Sequence, residues 1–374
     1  VEVFKDIDRR FKYIADKGFV HANAQLKFPR MLIWLERWQD KKYLERLGRY
    51  WAARYAAYPC LWTLGQEVDN DFYFTRGDQK KFQKEDNPFK DIGKGLYEND
   101  PHKQPLTAHM EYFSIMPPPG MDCTSVSSSA FRKVKSHSWW AYQWSRKADE
   151  PMDYVFAKDG WLNGQGKVCV LYESSYEGLA TGNFGARSKG WIAYLNGLFG
   201  YGYGAQDMWF YRSRYESNTD ANDGMEIITK EKKQSIIWGE AIKYEAPTQL
   251  GYMRKFFTTT VGDWYNLTPR FGNTNFLERE TGAYAFLASN SDNSKVVVYF
   301  CNYTSTSVAE FANSTNGIAT GKLRALKPQT TYNYMWLNPI TGAVEKTGTF
   351  YSETNGTWTI GTKSNSDMVL YVYI

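Results

Sequence analysis

Residues 167–178 read Lys-Val-Cys-Val-Leu-Tyr-Glu-Ser-Ser-Tyr-Glu-Gly, a short apolar run that stops at a carboxylate, Glu173. Val168, Cys169, Val170 and Leu171 are too few for a helix, and half of them are β-branched. They predict a strand buried on both faces of a parallel sheet. Gly164 and Gly166 stand just upstream and Gly178 just downstream. In α/β folds, chemistry gathers at the carboxyl ends of such strands, which makes Glu173 a candidate catalytic group. The competing reading is a carboxylate at the start of the following helix, where an acidic side chain is favourable in its own right.

Working outward, the same alternation of strand and helix recurs. Residues 5–17 carry Ile7, Phe11 and Ile14 at helical spacing and stop at Gly18. Residues 19–26 read as a strand that runs past Asn23. Asp40 should cap a helix reaching about residue 57, and Pro59 ends it. Residues 60–64 form a second buried strand, which also ends in a carboxylate: Leu64, Gly65, Gln66, Glu67. A helix over 87–97 and a strand over 105–110, carrying His109, come next. A Pro-rich turn at 117–119 and a helix near Ser129 lead to a Trp-rich strand over 138–142. After Glu173 follow a helix over 183–197, a glycine-rich strand over 199–205 whose glycines permit close backbone approach, and one long helical pattern over 230–258. Strands and helices alternating at a spacing of roughly 30 residues argue for βα units and a parallel sheet.

After about residue 271 the helical patterns vanish. Val, Tyr and Thr runs separated by Gly, Asn, Ser and Pro predict strands over 283–288, 295–302, 331–337 and 367–374, a separate β-sandwich. The expected architecture is α/β: a (β/α)8 TIM-type barrel over residues 1–270, then a small all-β sandwich over residues 271–374. Only six βα units can be counted, so the barrel is expected to lack its first two units, about 60 or more residues upstream.

Composition narrows the class. Of 374 residues, 43% are apolar and 23% charged, ordinary globular usage. The net charge of +5 is spread without a block of like charges, so nucleic acid is not implied. No apolar run reaches the roughly 18 residues of a membrane span, and the chain opens without a signal-peptide pattern. Cys60, Cys123, Cys169 and Cys301 have no metal-type spacing, and Cys60 and Cys169 read as buried free thiols. The aromatic load of 14 Trp, 28 Tyr and 22 Phe suits stacking on sugar faces as well as packing in β-sandwiches.

Glycoside hydrolysis needs two carboxyl groups flanking the scissile bond, and Glu67 and Glu173 match in residue type and in strand position. Clan A barrel glycosidases carry the acid/base at the end of strand four and the nucleophile at the end of strand seven. Glu67 and Glu173 end the second and fifth countable strands, the same separation. The chain also resembles the apiosidase-like barrel glycosidases, which carry a carboxyl-terminal sandwich with a collagen-binding label. The resemblance covers nearly the whole chain. It rests on Gly18-Phe19-Val20-His21-Ala22-Asn23-Ala24, on Arg54-Tyr55-Ala56-Ala57-Tyr58 before Leu61-Trp62, and on Glu173-Ser174-Ser175-Tyr176-Glu177-Gly178. It continues through Arg187, Tyr194 and Gly197 to Tyr203-Gly204-Ala205-Gln206-Asp207-Met208-Trp209, and ends in the sandwich stretch over 332–342.

The resemblance implies a retaining, exo-acting glycosidase on side chains of plant or microbial polysaccharides, with Glu173 as nucleophile and Glu67 as acid/base. The family's acid position, Asp after Gly-Gly, is replaced here by Glu67 after Gly65-Gln66. In clan A an Asn usually precedes the acid, and Gln66 offers the same amide to a sugar 2-hydroxyl. Asn23, Gln66, His109, Trp140, Tyr176 and Trp209 are the expected substrate-binding residues. Trp139 and Trp140 point opposite ways along one strand, so only one can face a pocket. No cofactor is expected. Asp69 and Asp71 could join Glu67 at a metal, but an Asp-Asn-Asp loop reads better as a turn, and a metal-dependent hydrolase would need a His cluster that is missing.

Two alternatives stay open. Glu177, in the loop beyond the strand, could replace Glu173 as nucleophile, and the chain could be a non-catalytic carbohydrate-binding or scaffold protein with a degenerate barrel. The resemblance also implies an extracytoplasmic location, with which the sequons at Asn266, Asn302, Asn313 and Asn355 are compatible.

Overall fold

The computed structural model describes residues 2–22, 40–65, 89–110, 140–143, 161–162, 168–173, 176–178, 183–205, 208, 238–271, 276–278, 284–301, 318–364 and 367–374. The chain divides into two compact units, Val1–Ser145 with Leu162–Tyr172, and Arg146–Trp161 with Glu173–Ile374.

In the first unit, helix α1 (Glu2–Asp16) ends at Gly18, whose φ of +80° suits a residue without a Cβ. Helix α2 (Lys41–Tyr55) starts as its sequence predicts: the Asp40 carboxylate accepts from the Tyr43 N–H at 3.0 Å, satisfying one orphan donor of the first turn. It packs against α3 (Phe89–Asn99) at very close range. A Cβ at Gly48 would fall 2.1 Å from the Ile92 carbonyl, and one at Gly95 would fall 2.0 Å from that of Glu45. Glycine on both helices is what lets the backbones approach.

The strands of this unit are short and parallel. His21 bridges Cys60, and β1 (Trp62–Thr63) pairs with β2 (Leu106–Thr107). β3 (His109–Met110) pairs with β4 (Trp140–Gln143), and β5 (Cys169–Glu173) follows β4 in the same sheet. Three expectations change here. The strand expected over 19–26 reduces, within 19–22, to the bridge at His21. The single strand expected over 105–110 breaks at Ala108, one part pairing with β1 and the other with β4. β5 is not buried on both faces: Cys169 and Leu171 are buried, Val170, Tyr172 and Glu173 are partly exposed, and Val168 is 40% exposed. Pleating sends successive side chains to opposite faces, and only one face of β5 is fully covered.

In the second unit, α4 (Asn183–Leu195) is buried along almost its whole length. β6 (Gly200–Tyr201) follows it. The helix expected over 230–258 is broken, in its described part, into α5 (Trp238–Ala241) and α6 (Ala246–Lys255). Pro247 lies in the first turn of α6, where its missing N–H costs nothing. A π-helical turn, Phe256–Val261, extends α6, and Gly262 at φ +81° stops it.

The sandwich begins before residue 271. β7 (Thr268–Pro269) already pairs with β9 (Tyr284–Ser289). The remaining strands are β8 (Leu277–Glu278), β10 (Lys295–Cys301), β11 (Ile318–Leu323), β12 (Thr331–Leu337), β13 (Val344–Tyr351), β14 (Trp358–Ser364) and β15 (Asp367–Tyr373). They form a six-stranded sheet in the order β13-β12-β15-β10-β9-β7 and a three-stranded sheet in the order β14-β11-β8. The four expected strands lie in the larger sheet. Those not expected are short, glycine-bearing or, like β13, exposed along the edge, so their apolar signal is weak.

The larger sheet is covered on both faces. Leu287, Val298, Phe300 and Leu370 pack between the sheets, whereas Val297, Tyr299, Val369 and Tyr371 pack against Trp191 and Leu195 of α4 and Phe256 and Phe257 of the π turn. That is why β10 and β15 read as continuous apolar runs and not as the alternation of a sheet with one wet face.

Candidate active site

Glu173 is the last residue of β5 and is partly buried. Three residues later the Tyr176 hydroxyl donates to Glu173 Oε1. The Tyr176 ring lies directly against Gly204, where a Cβ would fall 2.2 Å from Tyr176 Cδ1. Glycine at 204 makes the space for the ring, and the ring carries the hydroxyl to the carboxylate.

Glu177 points elsewhere. It is not a loop residue: its N–H donates to the Gly204 carbonyl at 3.0 Å, and it forms a parallel bridge with Ala205. Its side chain is 5% exposed. Oε2 accepts from the Tyr203 hydroxyl at 2.6 Å, and the carboxylate also accepts from the backbone N–H of Ala246, the first residue of α6. Burial pushes the Glu177 carboxyl above the usual range, although the Tyr203 hydroxyl and the Ala246 N–H both favour its charged form. The Tyr203 phenol is raised well beyond its ordinary value by burial and by the carboxylate it serves.

In the first unit, backbone bonds run from Trp62 N–H to the Pro105 carbonyl at 2.8 Å, from Leu64 N–H to Thr107 at 2.9 Å, and from His109 N–H to Gly65 at 3.1 Å. This ladder carries β1 to the residue before Gln66. His109 is 1% exposed, its ring centroid 5.3 Å from that of Tyr172. Burial lowers its pKa to about 3, so the imidazole is neutral across the physiological range. The Tyr172 hydroxyl and, at 3.2 Å, that of Thr63 both donate to the Ala22 carbonyl.

Of the expected site residues, Glu173 and Tyr176 are brought together. His109 presents almost no surface to solvent, and Trp140 opens β4 one residue before Ala141, the partner of His109. Asn23, Gln66, Glu67, Asp69, Asp71, Trp139, Trp209 and Cys123 lie outside the described residues. Cys60, Cys169 and Cys301 are buried cysteines, as read for the first two, and burial raises the Cys60 thiol to about 12. Sequence reasoning gave Tyr203, Gly204 and Ala246 no role at the site, although the first two open the stretch over 203–209 that carries the resemblance. The signal present for Gly204 was the glycine-rich run over 199–205, whose close backbone approach is to the Tyr176 ring.

Among the described residues no group of three His, Cys, Asp or Glu side chains could hold a metal ion, and no helix is long and apolar enough to cross a membrane. The described part of the site is a carboxylate at a strand end that accepts from a phenol, with a second, buried carboxylate four residues on. Such a group can attack an electrophilic carbon or take a proton.

Comparison with known proteins places this arrangement. The chain is similar to a solved glycoside hydrolase family 5 protein from Bacteroides vulgatus ATCC 8482, with a TM-score of 0.68 at 16% identity, over 99% of this chain and 74% of the other. It is also similar to another solved glycoside hydrolase, with a TM-score of 0.61 at 14% identity, over 89% and 69% of the two chains. No curated protein matches it. At these identities the likeness gives the fold, a glycoside-hydrolase barrel with a β-rich carboxyl-terminal region. The model of the Apiosidase-like catalytic domain matches residues 2–262, which include Glu173, Tyr176 and Glu177. The chain thus belongs to the Apiosidase-like family, and the enzyme class it falls in is that of the glycoside hydrolases.

Proposed function

We propose that this protein cleaves glycosidic bonds on side chains of plant or microbial polysaccharides with two carboxyl groups, Glu173 as nucleophile and Glu67 as general acid/base. The observation that carries the reading is Glu173 at the carboxyl end of β5 with the Tyr176 hydroxyl on its Oε1. A phenol donating to one oxygen favours the charged carboxylate that attack on the anomeric carbon requires. Family membership supports a carbohydrate substrate, and an extracytoplasmic location is the one at which polysaccharide side chains would be met.

The mechanism is retaining. Glu67, protonated, gives its proton to the leaving oxygen while Glu173 forms a glycosyl ester; Glu67 then deprotonates the water that releases the sugar. This requires the two carboxyls to lie about 5 to 5.5 Å apart, against about 6.5 to 9.5 Å for inversion. Asn23, Gln66, Trp140 and Trp209 line the sugar subsite. His109 is buried and neutral, its ring against that of Tyr172. The catalytic domain ends before β7, and the strands from β7 onward form an ancillary sandwich.

The test is hydrolysis of a panel of aryl glycosides and pectic oligosaccharides, with the anomer released first identified by proton NMR. Turnover with retention, lost in Glu173→Gln and in Glu67→Gln, is the expected result. An inverted first product, or full activity in Glu173→Gln, would overturn the assignment.

A further inference from the structure

We propose that Glu177 is a positioning residue for Glu173: through Tyr203 and the backbone of Gly204 it fixes the surface on which the Tyr176 ring rests, and thereby aims the Tyr176 hydroxyl at Glu173. This rests on the reading of Glu173 as the nucleophile.

Each link is a short contact. The Glu177 backbone N–H holds the Gly204 carbonyl at 3.0 Å, and its carboxylate holds the Tyr203 hydroxyl at 2.6 Å, so the 203–204 backbone is gripped from two directions. The Ala246 N–H ties the same carboxylate to the start of α6. Gly204 then gives the Tyr176 ring its place, because any side chain there would occupy the ring's own volume. Tyr176 directly precedes Glu177, so a shift of Glu177 would move the phenol at once. Arg187 and Glu245 also influence the Glu177 carboxyl, with opposite signs, and burial disfavours its charge. A neutral amide can hold the same two partners, its oxygen accepting from the Ala246 N–H and its NH2 donating to the oxygen of the Tyr203 hydroxyl, which can act as either donor or acceptor. Hydrogen bonding at Glu177, and not charge, is what the arrangement uses.

The proposal separates Glu177 from Glu173 by two substitutions. Glu177→Gln keeps a hydrogen bond to both partners, with the Tyr203 hydroxyl turned to accept, and should hold kcat/KM within about threefold of wild type. Glu177→Ala releases Tyr203 and should lower kcat about ten- to a hundredfold with little change in KM, the scale of a lost hydrogen bond to a charged group. Tyr176→Phe should match it. In both, the acidic limb of the kcat/KM profile should move to higher pH, because a carboxylate that loses a donor resists ionisation. Gly204→Ala should reproduce this without touching any acidic group.

These profiles are measured on the aryl glycoside turned over fastest, with thermal melts to confirm folding. Crystal structures of Glu177→Ala and Glu177→Gln supply a readout independent of turnover: the Tyr176–Glu173 hydrogen bond should be lost in the first and kept in the second. If Glu177→Gln falls as far as Glu173→Gln, Glu177 itself takes part in the reaction and the proposal is overturned. It is equally overturned if Glu177→Ala keeps the hydrogen bond and the acidic limb of wild type. Full activity in Glu173→Gln would instead sink the nucleophile assignment, and the two crystal structures would still decide the positioning claim.

Discussion

The Arg187 guanidinium meets the Asp367 carboxylate as a fork, Nε to Oδ2 and Nη2 to Oδ1, both at 2.9 Å, with the two residues 1% and 2% exposed. The Tyr299 hydroxyl adds a bond to Asp367 at 2.7 Å, and Arg187 also donates to Gln249 on α6. Burial works against the charge on Arg187, but the Asp367 carboxylate more than compensates, and the guanidinium lies above its ordinary range. Arg187 belongs to α4, within the matched catalytic domain, whereas Asp367 opens the last strand of the sandwich.

Removing one partner of this pair should therefore be costly. Asp367→Ala leaves a guanidinium out of solvent without its counter-charge, and unfolding in urea should show a loss of about 3–5 kcal/mol. Replacing both residues with apolar side chains of similar volume should recover most of it, since two well-packed apolar groups carry no desolvation cost. A loss below about 1 kcal/mol for Asp367→Ala, the size of an exposed pair, would contradict the burial described here.

A chain ending at residue 262 should not stay soluble. Trp191, Ile192 and Leu195 of α4, with Phe256, Phe257 and Val261 of the π turn, are buried against β9, β10, β12 and β15. Without those strands the apolar face they share is exposed, and faces of that kind drive association. Size-exclusion chromatography beside the full chain checks this; a monodisperse, active fragment would show the sandwich to be dispensable.

Stability should depend on pH with opposite signs at two buried groups. The His109 pKa falls from 6.5 to about 3 on folding. Its contribution is complete above the unfolded value and is lost as the pH drops from about 6.5 towards 3, at about 1.4 kcal/mol per pH unit. Glu177 is shifted upward, so its contribution is complete below the unfolded carboxylate value and declines as the pH rises through the folded one. Denaturant titrations from pH 4 to 8 should thus show a shallower acid limb for His109→Phe. Glu177→Gln should gain stability at neutral pH relative to wild type.

Close backbone contact between α2 and α3 leaves no room for a methyl group. Gly95→Ala would put a carbon 2.0 Å from the Glu45 carbonyl and should force the helices apart at a cost of about 1–3 kcal/mol. Gly239→Ala, where a Cβ would meet nothing within 4 Å, is the control and should be close to neutral.

Local patterns in the chain were sufficient for much of this. Asp40 as a helix cap, Gly18 as a helix stop, the strand ending at Glu173, and the runs over 295–302 and 367–374 are all set by near-neighbour chemistry: a side chain that satisfies an N–H, a residue that tolerates positive φ, a β-branched cluster too short to coil. The placing of a carboxylate at a strand end needed no more than that. The tertiary structure alone decided what surrounds it. Tyr176 serves Glu173 from only three positions away, but Gly204, which makes room for it, and Tyr203 and α6, to which Glu177 turns inward, lie tens of positions away, and side-chain type does not encode those relations. The same holds for β10 and β15, whose continuous apolar runs announce burial on two faces. Which helix covers the second face follows from where α4 and the π turn come to rest, and the fork from Arg187 to Asp367 holds them there.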